Sequence, residues 1–285
     1  MAKLYFIVLR KKSLKNLLIM VFLISMAICA VYFLSESGSF FDVSAIFSSG
    51  IGPVDPNISK DGGKLAIIID DFGSSRNGVQ EMMSTNAHLT FAIMPFCRYS
   101  EKDAEEAHEK GYEVIVHLPM EPNYGRKSWL GPKPILASME ISEVQRIVID
   151  SFESIPHAVG ANIHMGSKAS GDKSIISAVL EVLKERDLYF VDSRTADHPV
   201  AKKIADKKGV ICYDRDVFLD GQQSKGFVKQ RLNEAGRIAL KKGKAIAIGH
   251  VGIEGGKTTA EAIGEMIPEF RNQNIQLVFV SELGK

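Results

Sequence analysis

The stretch Lys64-Leu-Ala-Ile-Ile-Ile-Asp-Asp-Phe-Gly73 drives five consecutive apolar residues straight into two adjacent carboxylates. A continuous apolar run rich in β-branched residues reads as a strand buried on both faces, the condition of a parallel sheet covered by helices. Asp70 and Asp71 then stand at its carboxyl end, where β/α barrels and open α/β sheets hold substrates and metals. Neighbouring side chains leave a strand on different sides, so one carboxylate is free to hold a metal while the other takes a proton. Standing alone, such a pair serves equally well as a turn or a helix N-cap.

It does not stand alone. From Lys64 onward, short apolar runs alternate with longer amphipathic, charged segments, the pattern of repeated β/α units. The predicted strands are Leu65–Ile69, Leu89–Met94, Glu113–Val116, Val159–Ile163, Leu188–Val191, Val210–Tyr213, Ala245–Ile248 and Ile275–Val280. Helical periodicity fills the intervals, and Gly111 and Gly243 sit where helices should stop. Seven or eight such units over about 220 residues is the size of a (β/α) barrel. Just after the predicted strands come Asp70 and Asp71, His117, His164, Asp192, Asp214, Asp216 and His250. A barrel with its active site at the carboxyl rim requires that placement of metal-capable side chains. Asp71, His117 and His164, one carboxylate and two imidazoles from different strands, would make a three-ligand set with positions left open, the form of a catalytic metal site.

The N-terminal part reads differently. Leu17–Leu34 is 18 residues without a charge, close to the roughly 20 needed to span the hydrocarbon core. Lys3, Arg10, Lys11, Lys12 and Lys15 precede it with no acid, so the N-terminus is expected in the cytoplasm and the remainder outside it. The expected organisation is a basic stub and membrane anchor over residues 1–35, a linker over 36–63 and the barrel over 64–285. A cleaved signal peptide is the rival reading of the first segment. Beyond it the chain holds 30 basic against 34 acidic side chains, a balance that gives no reason to expect nucleic-acid binding. Cys29, Cys97 and Cys212 are too few and scattered for a disulfide framework or a thiolate zinc site.

Five motifs carry a family resemblance: Asp70-Asp71-Phe-Gly73, His117-Leu-Pro-Met-Glu-Pro122, Gly160-Ala-Asn-Ile-His-Met-Gly-Ser167, Phe190-Val-Asp-Ser-Arg-Thr195 and Ala247-Ile-Gly-His250. In this order, over Lys64 to Leu283, they resemble the divergent polysaccharide deacetylases of bacterial envelopes, a branch of a metal-dependent superfamily with a distorted β/α barrel. The resemblance implies that Asp70 is the general base, Asp71 and His117 are metal ligands, and His250 is the general acid. The superfamily takes its second histidine four residues after the first; here Glu121 occupies that position. His164 is the expected third ligand and Glu121 the alternative, for zinc accepts imidazole or carboxylate. The superfamily's arginine motif is also altered, and Asp192 and Arg194 are the nearest candidates for orienting the base.

The implied reaction is hydrolysis of N-acetyl groups on an amino-sugar polysaccharide, assisted by a divalent metal, expected to be zinc. Tyr124 and Trp129, in the long segment between Met120 and Glu140, are candidates for stacking on sugar. With the apolar segment and its basic flank, the expected location is the inner membrane, single-pass, with the barrel on the periplasmic or extracytoplasmic side. The alternative is a barrel without turnover that binds glycan or serves envelope assembly. A glycosidase is disfavoured, since two acids about 5 to 9.5 Å apart across a sugar are needed and adjacent Asp70 and Asp71 are poorly placed.

Overall fold

The apolar run forms β1 (Gly63–Phe72), buried along almost its whole length. Its side chains divide by parity, as the two-residue period of a strand demands. Leu65, Ile67 and Ile69 join the large core packed against the helices, whereas Ala66 and Ile68 face a smaller interior core with Ala92, Ile115, Val191, Ile246 and Ile248. That two-faced burial is why the run lacks polar alternation.

The computed structural model describes residues 62–252 and 255–284. They lie in one compact unit, Asp55–Lys285. The remaining strands are β2 (Thr90–Ile93), β3 (Glu113–Met120), β4 (Ala158–Met165), β5 (Tyr189–Asp192), β6 (Cys212–Asp214), β7 (Val217–Phe218), β8 (Lys244–His250) and β9 (Ile275–Val278). All pair in parallel in the order β6-β5-β4-β3-β2-β1-β8-β7, and β9 pairs with the start of β1. The helices are α1 (Val79–Met82), α2 (Ser100–Glu109), α3 (Ile141–Ser154), α4 (Lys173–Glu185), α5 (Ala201–Lys208), α6 (Lys225–Lys242) and α7 (Lys257–Asn272). The result is a curled, parallel half-barrel sheet backed by helices, the layering of a β/α barrel. Residues 212–218 pair first with β5 and then with β8, and so reach from one end of the sheet path towards the other.

Eight of these strands were expected. β7 was not, because two residues are too few to show a period. β1, β3 and β4 also run further than their apolar content suggests, so the polar residues at their ends are held in sheet geometry rather than in loops. Gly243 follows α6 in the left-handed conformation, φ 82°, as a helix-stopping glycine should. Cys97 and Cys212 are free.

At the amino end of the strands the interior is closed by a polar plug. The Glu113 carboxylate accepts from Thr90 Oγ1 at 2.9 Å and from Tyr189 Oη at 2.7 Å. The Thr90 hydroxyl in turn accepts from the Val280 amide at 3.3 Å. The opposite, carboxyl end is left as the mouth.

One expectation is corrected. Among the described residues no helix is long and apolar enough to cross a membrane. The segment 17–34 on which a single-pass, inner-membrane placement rested lies outside the described residues, so that placement is withdrawn.

The large core contains a three-ring stack, Phe72 on Phe91 and Phe91 on Tyr112, each pair with centroids 4.4 Å apart. Phe91 is fully buried at its centre. Phe91→Ala is expected to lower the stability of the full-length chain by about 3–5 kcal/mol in denaturant unfolding; a loss under 1 kcal/mol would show that this stack is not integral to the core.

Candidate metal centre

Strand parity brings the site together. On β3, β4 and β8 the residues of inward parity near the carboxyl end are His117, Asn162, His164 and His250, in step with Ile115 on β3 and with Ile246 and Ile248 on β8. On β1, Asp70 continues the inward parity of Ala66 and Ile68. Asp71 should face out. It does not, because its φ is +70° and the pairing with β2 shifts register between Ile69 and Phe72. A bulge of this kind re-aims a side chain, and here it brings the second carboxylate to the same mouth.

Asp71 Oδ1 lies 3.1 Å from His164 Nδ1 and 3.4 Å from His117 Nε2, and the two imidazole nitrogens are 3.1 Å apart. The other ring nitrogens are already engaged. His117 Nδ1 stands 2.6 Å from Asn162 Oδ1, whose own amide group donates to Asp70 Oδ1 at 2.7 Å, so His117 Nδ1 is the donor in that bond. His164 Nε2 donates to the Trp129 carbonyl at 2.9 Å. Both rings therefore turn the nitrogen without that proton toward Asp71 Oδ1, a buried oxygen with no hydrogen-bond partner among the described residues. Three electron pairs converging on one point call for positive charge, and two imidazoles with a carboxylate are a ligand set that suits zinc and related ions. The orienting bonds from the remaining ring nitrogens are those that metal-binding histidines ordinarily make. The donor set fits a divalent metal.

Electrostatics separate the two carboxylates. Burial alone would raise both. For Asp71, the positive charge that His117 and His164 carry when protonated, in place of a bound ion, overcomes burial and holds the carboxyl well below the usual range. For Asp70, burial wins over His117, His250 and Asn162, and its pKa is raised. His250 is driven the other way from burial: Asp220 Oδ1 at 2.9 Å from its Nδ1, together with the charge of Asp70, lifts it to about 9. Asp220 is itself fixed by the His250 amide at 2.7 Å and by Thr259 Oγ1 at 3.1 Å. His250 Nε2 is 4.0 Å from Asp70 Oδ2. A carboxylate raised toward neutrality and an imidazole held protonated face one cleft of about 180 Å³, lined also by Ser193, Arg215 and Phe218.

The other sequence candidates fall elsewhere. Glu121 Oε2 accepts from the Ala137 amide and Oε1 from Lys168, so it ties the 121–140 loop down rather than joining the cluster. Asp192 has outward parity on β5, opposite to Tyr189 and Val191, and accepts from the Arg194 amide. Arg194 reaches the half-buried Asp214 at 3.4 Å. Neither lines the cleft; the arginine that does is Arg215, from the link between β6 and β7. Tyr124 and Trp129 are 91% and 57% exposed on the loop above the mouth. Asn162 and Asp220 were not singled out from the sequence. The two-residue step from Asn162 to His164 signals a shared strand face, whereas nothing in the spacing marks Asp220.

A family model described as divergent polysaccharide deacetylase matches residues 67–284. Among curated proteins, the uncharacterised protein YibQ of Escherichia coli is 35% identical over 188 residues, 66% of this chain and 58% of that protein. An uncharacterised protein of Haemophilus influenzae is 34% identical over 187 residues, 66% of each. The matched part of this chain thus spans less than two thirds of either relative's length. An uncharacterised protein of Agrobacterium tumefaciens of known structure superposes with a TM-score of 0.72 at 22% identity, covering 78% of this chain and 89% of that one; this is a likeness of fold.

Two outcomes follow from the hydrogen-bond geometry. Asn162→Ala frees the His117 ring and is expected to weaken Zn²⁺ binding by roughly 10–100-fold in calorimetric titration; unchanged affinity would show that the amide does not orient the ligand. His250 has a folded pKa of about 9 against an ordinary 6.5, so its protonated form is favoured by folding. That stabilisation is complete below about pH 6.5 and is lost as pH rises past about 9. Asp220→Asn should lower the His250 titration midpoint measured by NMR. Its stability deficit should be largest at the acid end of that window and fade above it.

Proposed function

The chain belongs to the divergent polysaccharide deacetylase family, and on that premise we propose that the mouth of the half-barrel is a metal-dependent active site. It removes N-acetyl groups from an amino-sugar polysaccharide of the bacterial envelope. The family supports a hydrolase in general terms; the observation that carries the finer reading is the convergence of Asp71 Oδ1, His117 Nε2 and His164 Nδ1 within 3.4 Å of one another. We take residues 64–285 as the catalytic domain and zinc as the ion, given the two-nitrogen, one-oxygen donor set.

A divalent ion held by Asp71, His117 and His164 would supply Lewis-acid polarisation of the acetyl carbonyl and lower the pKa of water. The chain's own groups then divide the proton transfers. Asp70, its pKa raised, is suited to accept the proton of the attacking water. His250, protonated at neutral pH, is suited to give a proton to the departing amine. Asp220 holds the His250 ring with Nε2 toward the cleft and stabilises its charge. Asn162 holds Asp70 and His117 at a fixed separation, so the base and the ligand set keep their relative positions. Proton acceptor and proton donor thus lie 4.0 Å apart, near enough for one scissile group to meet both. Asp192 and Arg194, away from the cleft, are left without a direct part. Tyr124 and Trp129 offer exposed rings for sugar stacking, and the Trp129 carbonyl bond to His164 fastens that loop to the ligand set.

The test is metal content and acetate release by the full-length protein on chito-oligosaccharides and peptidoglycan. Asp71→Ala and His164→Ala are expected to lose both the ion and activity, and Glu121→Ala to keep the ion. Asp70→Asn should retain the ion while losing about 10²–10⁴-fold in kcat. A folded wild type that takes up no divalent ion sinks the mechanism and leaves a glycan-binding barrel.

A further inference from the structure

Arg215 is the one residue of the cleft whose charge the proposed reaction does not use. It sits half-buried in the link between β6 and β7 and lines the cleft with Asp70, Asp71, His117, His164 and His250. Its Nε donates to the Ser193 carbonyl at 2.8 Å, and its guanidinium carbon is 5.3 Å from the centre of the Phe218 ring. Ser193 and Phe218 line the same cleft. One hydrogen bond and one aromatic face thus hold the side chain in place.

Among the described residues no carboxylate oxygen lies within 4.0 Å of this guanidinium, and Nη1 and Nη2 have no acceptor. By contrast Arg76, Arg194 and Arg231 each reach an acid. Burial, together with the charges of Arg194 and Arg231, depresses the Arg215 pKa, opposed by the charges of Asp70 and Asp192. An arginine stays charged under such conditions, and a partly desolvated fork with two unused donors fits two oxygens of a carboxylate or phosphate. The cleft is smaller than the roughly 300 Å³ at which sites for whole small molecules begin, so any anion bound by Arg215 is close to the group being cleaved.

We propose that Arg215 is the specificity residue of this cleft and that the polysaccharide it takes carries an oxyanion, a carboxylate or phosphate, on the N-acetylated sugar. The inference rests on the deacetylase reading of the site, and it adds the class of substrate: an acidic N-acetylated glycan rather than a neutral one. Arg215 contributes to binding and does not move protons. Its substitution should therefore raise KM for acidic substrates more than for neutral ones, and affect KM more than kcat.

The experiment compares N-acetylglucosamine oligomers with glycans containing N-acetylmuramic acid, which adds a lactyl carboxylate, and with phosphorylated N-acetylglucosamine oligomers. Zinc-loaded full-length wild type, Arg215→Gln and Arg215→Lys are assayed for turnover, and for calorimetric binding of the corresponding monosaccharides and of acetate. The expected result is an Arg215→Gln ratio of acidic-substrate KM to neutral-substrate KM raised roughly tenfold or more for one acidic substrate, with part of that loss restored by Arg215→Lys. The acidic glycan affected identifies the oxyanion. Equal effects on acidic and neutral substrates, or weakened binding of acetate alone, overturn the inference, for the arginine would then serve the backbone or the product. If nothing is turned over, the binding arm decides separately. Arg215-dependent preference for an acidic sugar upholds the inference while the deacetylase reading falls; no preference overturns both.

Discussion

Two imidazole nitrogens and a carboxylate oxygen, each presenting an electron pair, stand 3.1 to 3.4 Å apart at the mouth of this half-barrel. Their mutual repulsion is relieved only by positive charge, and everything around them serves to keep them there. Asn162 and the Trp129 carbonyl engage the opposite ring nitrogens, so neither imidazole turns away. The two hydrogen bonds come from different places, one from the neighbouring β4 face and one from the loop above. The site is therefore braced by the sheet below and by the segment that would meet substrate above.

A parallel strand buried on both faces is the condition for that bracing. Because β1, β3, β4 and β8 stay in sheet register to their polar ends, His117 pairs directly with Asn162 and Asp70 with His250 across the strands. Backbone pairing fixes their spacing before any side-chain contact forms. The single departure from regular alternation, the left-handed Asp71, is the step that puts two adjacent carboxylates to two uses. One is kept ionised by positive charge at the histidines, whether protons or an ion, and the other is kept closer to neutral by burial. Strain of this sort in a non-glycine residue costs about 1–3 kcal/mol and persists where surrounding structure enforces it; here the pairing of Ile69 and Phe72 with β2 on either side does so.

Much of this was legible in the sequence. Apolar runs located eight of the nine strands among the described residues, and the residues following them included Asp70, Asp71, His117, His164 and His250. The limits were set by register. Asp192 follows an apolar run just as Asp70 does, but it falls on the outward parity of β5, and parity cannot be counted until the interior face is known. Arg194 stood out for its nearness to a motif, whereas Arg215 reaches the cleft only because the chain between β6 and β7 passes from one end of the sheet path to the other. Asp220 lies on no strand and is found only through its bonds to His250. Partners that act across space leave no local pattern, so the orienting residues were the harder part to read.

The two ends of the interior show why one end is suited to chemistry. At the amino end the Glu113 carboxylate collects hydrogen bonds from Thr90 and Tyr189, and a buried polar network satisfied in this way is inert and rigid. At the carboxyl end the corresponding carboxylate, Asp70, has one oxygen bound by Asn162, while the other faces His117 and His250 at 3.7 and 4.0 Å, beyond hydrogen-bond range. With no short bond from the protein on that oxygen, Asp70 is able to accept a proton from a group entering the cleft. The fold thus spends its polar satisfaction at the base of the interior and withholds it at the mouth.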